Sequence, residues 1–525
     1  MGSMQSGRKV AVVLICLVIV LASGALVVVL GNQSSANDFA SQLSIIKKKA
    51  LYAHASFGIV VYDPANNRTL YSENEGSMFV PGSTTKLFTS ATAFDALGAD
   101  HRFHTPVHAI GTIIGEKLEG DLVLVASGDI TMGGRTTASG GINFTNVDHG
   151  DANALGGCQL TSEDPLAGLD SLAEQVNVSG ITEVDDVIVD PRAFPVVDIG
   201  KSYKIAPIAI NDDLIDVMIA PTHAGQKASV DWRPKTAIYS IDANVTTLAI
   251  GPTEISVTDG APGVIKVRGT IAANSLQANF TYSISDPLSF ARTLFIEALQ
   301  RHGVQMHSNL SGSNPEEKLP SISTYTVQNR VAELVSPRFA EDVKLTLKVS
   351  QNLHADTYLG LIAMAKQAGN YYQGLGVEGQ FLERLGLNLT SISLGDGEGG
   401  VSNDRISPLA ARQLLVAMME RTDFQDYFLA LPILGVDGSL AGSATPGSKA
   451  IGHVYAKTGT TVDENPLSGS GIALAKALAG YVDTASGKRL VFAIYVNNVP
   501  VGSVDDIKTL GSDVAHISEL IYASF

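Results

Sequence analysis

The segment Val80-Pro-Gly-Ser83-Thr-Thr-Lys86 places a Pro-Gly chain break directly before an apolar helical pattern. Upstream, residues 56–72 form two short β-branched and aromatic runs around an Asp-Pro-Ala-Asn-Asn turn, which is typical of a hairpin. Downstream, apolar residues recur every three or four positions until Gly98, which indicates a buried helix of about four turns. The sequence therefore predicts a hairpin followed by a helix that starts at Ser83.

Ser83 and Lys86 are spaced so that both side chains lie on one face of that helix, one turn apart. A serine hydroxyl is a weak nucleophile and needs an adjacent base. A lysine can be that base only when burial or nearby positive charge lowers its pKa. Because the Ser-x-x-Lys pattern also occurs at 6–9 and 44–47, an ordinary surface lysine is the alternative for this motif taken alone.

Two further short motifs contain polar groups that suit such a nucleophile. Ser350-Gln-Asn352 offers a hydroxyl and an amide two positions apart at a helix junction, although a polar patch on a helix has the same pattern. Lys457-Thr-Gly-Thr460 follows a strand signal, and an edge strand there can pair with an extended substrate while the lysine faces a carboxylate. An ordinary strand end is the alternative for this last motif.

The order of the three motifs is more specific than any one of them. Ser-x-x-Lys, then Ser-x-Asn, then Lys-Thr-Gly is the signature of penicillin-binding proteins and class A β-lactamases. With it, residues 40–525 resemble a penicillin-binding protein of the D-alanyl-D-alanine carboxypeptidase/endopeptidase type, which inserts extra domains between the first two motifs where compact β-lactamases lack room. Further resembling segments are Gly120-Asp-Leu-Val-Leu-Val-Ala-Ser-Gly-Asp129, Ser350-Gln-Asn-Leu-His-Ala-Asp356, Asp396-Gly-Glu-Gly-Gly-Val-Ser402, Asp437-Gly-Ser-Leu440, Gly480-Tyr-Val and Phe492-Ala-Ile.

The resemblance implies a nucleophile, a base and an oxyanion hole. Ser83 would be acylated, and Lys86 would be its general base. The backbone N–H groups of Ser83 and Thr460 would form the oxyanion hole, and donors of this kind each contribute about 10²–10³-fold in rate.

The remaining motif residues would handle the leaving group and the substrate. By the same resemblance, Ser350 relays a proton to the leaving amine, and Asn352 binds the peptide group of the substrate. Lys457 assists proton transfer or holds the terminal carboxylate, and Thr458 helps to bind that carboxylate. Gly459 lies between these groups, where a glycine permits close approach of another chain.

The sequence departs from the family pattern in four places, and none of these departures removes a catalytic group. Gly82 replaces the usual Ala, Gln351 stands where Asp is common, and Asp356 replaces a usual Glu. Residues 396–400 read Asp-Gly-Glu-Gly-Gly instead of Asp-Gly-Ser-Gly, which is expected to shift a loop near the site. We expect these changes to alter substrate detail rather than mechanism.

The expected fold is a multi-domain α+β chain with a β-lactamase/DD-peptidase-like catalytic domain. Its five-stranded antiparallel sheet is built from both chain ends and flanked by helices. The catalytic domain is split into 37–105 and 325–525 by an inserted β-rich region at 106–324 of one or two subdomains. Helices are predicted at 287–302, 340–366, 371–385, 408–420 and 504–523, and strands at 453–457, 470–482 and 489–497.

Residues 1–36 are expected to carry a membrane anchor or signal segment. Val10–Leu30 is uncharged and, at about 31 Å as a helix, matches a bilayer core of roughly 30 Å. It favours an uncleaved anchor over a cleaved signal peptide, whose apolar part is shorter. Either reading places the rest of the chain outside the cytoplasm. The net charge of −16 argues against nucleic-acid binding.

The leading hypothesis is an exported serine DD-peptidase acting on cell-wall peptides with D-amino acids and acylated by β-lactams. A β-lactamase, esterase or D-aminopeptidase-like hydrolase on the same scaffold is the alternative, as is a non-enzymic envelope-binding module. His354 is expected to cap or pack on its helix, because Lys86 already supplies a base. No metal or organic cofactor is implied by ligand spacing, and the oligomeric state is left open.

Overall fold

The computed structural model describes residues 36–525, and its helices and strands agree closely with the sequence periodicity. The helices of this part of the chain are α1 (36–47), α2 (Lys86–Leu97), α3 (Ala152–Leu155), α4 (Ala167–Val178), α5 (Pro287–Arg301), α6 (Phe339–Val349), α7 (Asn352–Ala365), α8 (Tyr371–Arg384), α9 (Pro408–Met418), α10 (Phe424–Ala430) and α11 (Val504–Ser524). The strands are β1 (Ser56–Asp63), β2 (Arg68–Glu73), β3 (His104–Ile114), β4 (Lys117–Val125), β5 (Glu183–Asp190), β6 (Val197–Asp198), β7 (Lys204–Ile205), β8 (Leu214–Ala220), β9 (Ser229–Arg233), β10 (Ser240–Leu248), β11 (Glu254–Asp259), β12 (Val264–Ala272), β13 (Ala278–Ser283), β14 (Gln305–Met306), β15 (Arg330–Val335), β16 (Ile392–Ser393), β17 (Arg405–Ile406), β18 (Val454–Asn465), β19 (Ser470–Asp483), β20 (Arg489–Asn497) and β21 (Val499–Val501).

The main sheet is built from both ends of the described chain, as the sequence predicts. Its strand order is β18-β19-β20-β1-β2, all antiparallel, so the predicted hairpin β1–β2 forms one edge and the Lys457 strand forms the other. The short strand β21 pairs with β19 and makes the sheet six-stranded rather than five-stranded. It continues β20 along β19 in the same antiparallel register, after an interruption at Asn498, whose φ is 63°.

Helices cover both faces of this sheet because apolar side chains project from its strands alternately to one face and to the other. On one face, Val491, Ala493 and Tyr495 pack in a core with Leu87 and other residues of α2, α7 and α9. On the other face, Phe492 and Ile494 pack with residues of α11 and α1. The alternation follows from the two-residue period of a strand. The helix that begins beside Ser83, α2, is therefore held against the sheet by its apolar residues.

The inserted region has its own sheets and its own core. One sheet has the order β14-β5-β4-β3-β15, and two three-stranded sheets have the orders β13-β8-β9 and β10-β12-β11. Residues of α4 and α5 pack in the core of this region. Its edge strand β15 lies beyond the predicted boundary at 324, because Arg330–Val335 pairs with β3. The domain boundaries remain a prediction, and this pairing favours a second boundary near residue 335.

The helical stretch predicted at 340–366 consists of two helices, α6 and α7, which meet at the helix junction predicted for the Ser-x-Asn motif. Ser350, the residue between them, has a left-handed backbone with φ 66° and caps α6. The side chain of Gln351 accepts a hydrogen bond from the Leu353 N–H and caps the start of α7. The break turns the Ser-x-Asn motif out of the helical packing and towards the main sheet.

In the described residues, no helix combines the length and apolar character needed to cross a bilayer. The predicted anchor Val10–Leu30 lies outside the described residues.

Candidate active site

The Ser83 hydroxyl lies next to a lysine amine, as the motif predicts. Ser83 belongs to a 3-10 turn, Gly82–Thr85, which runs directly into α2 at Lys86. The Lys86 Nζ donates to Ser83 Oγ at 2.8 Å. It also donates to Asn352 Oδ1 at 2.7 Å and to the Glu398 carbonyl oxygen at 3.0 Å. Three acceptors therefore hold the amine beside the hydroxyl.

Lys86 is fully buried, and this burial lowers its pKa below the ordinary value. The cause is desolvation, which disfavours the charged ammonium. Nearby carboxylates oppose the shift without reversing it, and the largest opposing effect comes from Glu398. A lysine with a lowered pKa can exist as the neutral amine that a general base requires.

Lys457 forms a second buried amine on the other side of the cleft. Its Nζ donates to Ser350 Oγ at 2.9 Å and to the Thr458 carbonyl oxygen at 3.0 Å. Burial, and then the like charge of Lys86, hold the pKa of Lys457 well below its usual value. The Ser350 hydroxyl is thus hydrogen-bonded to an amine that can exchange a proton with it.

The third motif lies on β18, directly beside the nucleophile turn. A side chain at Gly459 would place its Cβ 2.3 Å from the Pro81 carbonyl oxygen, so only glycine fits there. The close neighbour is therefore the Ser83 segment itself, whereas the sequence suggested another chain. Thr458 Oγ1 is 2.7 Å from Ser439 Oγ, and Thr460 Oγ1 accepts a hydrogen bond of 2.8 Å from Lys476.

All eight predicted site residues meet at one cleft. Ser83, Ser350, Asn352, Thr458 and Thr460 line a cavity of about 800 Å³. Lys86, Lys457 and Gly459 are buried around it and join it through the contacts just described. A cleft large enough for a peptide therefore contains two hydrogen-bonded groups, Lys86 with Ser83 and Asn352, and Lys457 with Ser350.

Two charged side chains at this cleft were not predicted as functional. Lys476, on β19, lines the cavity, and burial lowers its pKa to about 8. Glu398 also lines the cavity, and its Oε2 lies 3.5 Å from Lys86 Nζ. The sequence does contain a signal that could have identified Glu398, because residues 396–400 depart from the family pattern. The pairing of β19 with β18 brings Lys476 into place, and no short motif marks it.

A lysine from the inserted region holds the Glu398 loop in place. Lys201 Nζ donates to Asp356 Oδ2 at 2.8 Å, Asp396 Oδ2 at 2.8 Å and Glu398 Oε1 at 2.7 Å. The Asp396 carboxylate also accepts backbone hydrogen bonds from the loop that follows it, including one of 2.6 Å from Gly399. The three carboxylates have the spacing of metal ligands, but the lysine ammonium occupies the position between them.

His354 does not act on Ser83 and instead belongs to a buried ionic cluster. Its Nδ1 is 2.6 Å from Asp342 Oδ1, and its Nε2 is 3.1 Å from Asp212 Oδ1. Despite desolvation, these two carboxylates raise its pKa to about 10, so the imidazolium is stable inside the protein. The role predicted for His354, to cap or pack on its helix, stays a prediction. In addition, the geometry shows that His354 forms an ion pair with the inserted region.

Asp212 connects this histidine to the inserted region. Its Oδ2 is 2.8 Å from both Arg135 Nη2 and His149 Nε2, and it accepts a hydrogen bond of 2.9 Å from Gln351. Asp148, His149 and Asp212 also have the spacing of metal ligands, but Arg135 pairs with both carboxylates. The middle residue of the Ser-x-Asn motif is therefore held by the inserted region.

Known proteins with a similar sequence or fold carry the same type of enzyme name. The chain is 29% identical to the D-alanyl-D-alanine carboxypeptidase of Actinomadura sp. (strain R39), over 87% of this chain and 80% of that protein. It is 23% identical to penicillin-sensitive carboxypeptidase A of Dictyostelium discoideum, over 93% and 92%. Penicillin binding protein 4 (dacB) from Haemophilus influenzae has the same fold, with a TM-score of 0.68, 18% identity, and coverage of 92% and 99%. Residues 40–517 match the model of the D-Ala-D-Ala carboxypeptidase 3 (S13) family, and together with the geometry of the cleft this match establishes that the chain belongs to that family.

Proposed function

We propose that this chain is a serine DD-peptidase that cleaves the bond before a terminal D-Ala, or a D-amino-acid crosslink, in cell-wall peptides. The observation that carries the proposal is the contact of 2.8 Å between Ser83 Oγ and the buried amine of Lys86. A buried lysine with a lowered pKa supplies the base that a serine nucleophile needs. Substrates with D-amino acids follow from the family and from the names of the relatives.

In the first half of the reaction, Lys86 accepts the hydroxyl proton as Ser83 Oγ bonds to the carbonyl carbon of the penultimate residue. The backbone N–H groups of Ser83 and Thr460 stabilise the oxyanion. The C–N bond then breaks, and the departing amine takes a proton from Ser350, which Lys457 replaces across its contact of 2.9 Å. The product of this half-reaction is an ester between Ser83 and the shortened peptide.

The residues around the nucleophile support the binding of an extended, anionic peptide. Asn352 is placed to contact the peptide group, because its side chain lines the cavity and also binds Lys86. Thr458, Thr460 and the positive charges of Lys457 and Lys476 lie together at the end where a terminal carboxylate fits. Gly459 keeps β18 close to the Ser83 turn, which gives the substrate an edge strand.

The Ser350 hydroxyl disfavours the esterase alternative, because related esterases carry a tyrosine at this place in the motif. The β-lactamase alternative shares the acylation chemistry and differs in the rate at which the acyl-enzyme is hydrolysed. The non-enzymic alternative leaves the two buried lysines without a role. Comparing the hydrolysis of D-Ala-D-Ala peptides with that of simple esters distinguishes the peptidase from the esterase.

The test of the proposal is covalent labelling by a penicillin, read out by intact mass. We expect the wild-type chain to gain the mass of one penicillin and the Ser83→Ala variant to gain none, because the ester needs the hydroxyl oxygen. Ser44→Ala is the matched control, since Ser44 begins another Ser-x-x-Lys sequence on α1, outside the cleft. Equal labelling of wild type and Ser83→Ala would contradict the proposed nucleophile.

We also infer that the enzyme acts outside the cytoplasm, attached by the segment Val10–Leu30. The inference is supported by the apolar length of that segment and by a substrate that belongs to the cell wall. Expression of the full chain should give a membrane-bound protein that protease digests from the outer side. A chain starting at residue 37 should stay in the soluble fraction. A full chain found in the cytosol would overturn the inference.

A further inference from the structure

Glu398 places a carboxylate where a hydrolytic water must be activated. Its side chain is 13% exposed and lines the cavity together with Ser83. Its Oε2 is 3.5 Å from Lys86 Nζ, which in turn is 2.8 Å from Ser83 Oγ. The carboxylate is thus separated from the nucleophile by one amine. In the family pattern this position is a serine.

Lys86 is poorly placed to take a proton from water itself. An ammonium has three donors, and three oxygens already surround this one: Ser83 Oγ, Asn352 Oδ1 and the Glu398 carbonyl. In the acyl-enzyme this amine already carries the proton taken from Ser83, so it has no lone pair with which to accept a proton from water. The Glu398 carboxylate is an acceptor of protons that faces the same cavity.

Lys201 fixes the orientation of that carboxylate. It donates to Glu398 Oε1 at 2.7 Å and leaves Oε2 on the side of Lys86. The same ammonium neutralises Asp356 and Asp396, which otherwise would repel the glutamate. Lys201 is therefore a positioning residue that the inserted region supplies and that acts through Glu398.

We propose that Glu398 is the general base of deacylation. The proposal rests on the function proposed above and extends it to the second half-reaction. Water bonds to the acyl carbon and gives its proton to Glu398. As the ester C–O bond breaks, Lys86 returns to Ser83 Oγ the proton that it took during acylation. Glu398 then releases the proton of the water to the solvent, and Lys457 regains from the solvent the proton that it gave to the leaving amine. The products are a carboxylic acid and the original serine, so atoms and charges balance.

The same role for Glu398 applies to the hydrolysis of a penicilloyl ester on Ser83. A glutamate that works through a water is the accepted deacylation base of class A β-lactamases. A penicilloyl ester on Ser83 lies in the same cleft as the Glu398 carboxylate, so the wild-type enzyme releases it as penicilloic acid and recovers. The β-lactams that are hydrolysed in this way are those whose acyl group leaves room for a water beside Glu398.

The experiment measures acylation and deacylation separately with a fluorescent penicillin. We expect Glu398→Gln to be acylated within a few-fold of the wild-type rate. Its penicilloyl ester should be released about 10²–10⁴-fold more slowly, because general base catalysis contributes that much. Glu383→Gln, the same change at an exposed position of α8, should match the wild type in both steps.

Two further variants keep the result interpretable. Glu398→Asp retains a carboxylate at shorter reach and should recover part of the release rate even if the glutamine variant folds poorly. Lys201→Met should slow release while leaving acylation measurable. If the wild type is never acylated, the proposed function itself fails. If Glu398→Gln is acylated and releases the acyl group as fast as the wild type, only the role of Glu398 is overturned.

Discussion

At the scale of single residues, the chemistry depends on how two lysines are buried. Lys86 and Lys457 lie in the same cleft, each fully buried and each hydrogen-bonded to a serine hydroxyl. Desolvation lowers both pKa values, and the like charge of Lys86 lowers that of Lys457 further. One lysine can therefore be neutral while the other carries the proton, which suits the two proton transfers of acylation.

The pH dependence of acylation tests the state of Lys86. The amine acts as a base only when deprotonated, so the acylation rate should rise with pH through the pKa of Lys86 and level off above it. Since burial lowers that pKa, the plateau should begin below the pH expected for an exposed lysine. Stopped-flow labelling with a penicillin across the pH range measures this profile.

The variant Lys86→Arg keeps the positive charge but cannot deprotonate at these pH values. We expect its acylation rate to fall by about 10²–10⁴-fold and its rising limb to vanish. Lys47→Arg, in the unrelated Ser-x-x-Lys sequence on α1, is the control and should retain both. An unchanged rate in Lys86→Arg would rule out lysine as the base.

At the scale of elements, the pairing of β18 with β19 adds a charge to the substrate strand. Thr460 is opposite Lys476 in the register, and the Lys476 ammonium donates to the threonine hydroxyl. Because burial lowers the pKa of Lys476 to about 8, it is cationic below that pH and neutral above it. A peptide carboxylate bound near Thr460 should therefore bind more weakly above pH 8.

Steady-state kinetics of Lys476→Met test this. We expect KM for a peptide with a terminal carboxylate to rise about tenfold or more at pH 7, as for the loss of a charged hydrogen bond. The increase of KM above pH 8 should disappear in the variant. Lys488→Met, in the exposed turn after β19, should behave like the wild type. A terminal amide substrate that responds equally would exclude a charge effect.

Long periodic elements could be predicted from the sequence, and the details that depend on distant contacts could not. The hairpin, the helix after Ser83 and the strands β19 and β20 have strong apolar periodicity, and their bounds differ little from the prediction. The Ser-x-Asn motif predicts the helix junction at Ser350, but no periodic signal marks the left-handed backbone of this residue. The three motifs pointed to the region of the proposed nucleophile because their order is specific. Lys201 reaches the cleft only through tertiary structure.

At the scale of the whole molecule, a buried ionic cluster joins the inserted region to the catalytic helices. Asp212 contacts Arg135 and His149 on one side and His354 on the other. The carboxylates raise the pKa of both histidines to about 10. The two regions are therefore linked by charges that stay paired in the folded protein.

This cluster predicts stability that is lost in alkaline solution. A histidine whose folded pKa is near 10 and whose unfolded pKa is 6.5 stabilises the fold fully below pH 6.5. Between these two values the unfolded histidine is already neutral while the folded one keeps its proton, so the contribution is lost progressively as the pH rises towards 10. We expect the Tm from thermal unfolding to fall steadily between pH 6.5 and 10.

The variant His354→Asn should lower the free energy of unfolding by about 3–5 kcal/mol, because two buried carboxylates lose a cationic partner. Its Tm should also depend less on pH over that range. His54→Asn, at an exposed position, should change neither quantity. A Tm of the wild type that stays constant from pH 6.5 to 10 would contradict the assigned charges.

The reach of Lys201 has a practical consequence for attempts to shorten this enzyme. Deleting the insertion to obtain a compact hydrolase would also delete the only ammonium described between Asp356, Asp396 and Glu398. Mutual repulsion of these three carboxylates would then move the loop away from Lys86 and disturb the position of the Lys86 amine. The shortened enzyme should regain activity when a cationic side chain is introduced between the three carboxylates. On this basis the insertion contributes directly to the proposed active site and cannot be removed without compensation.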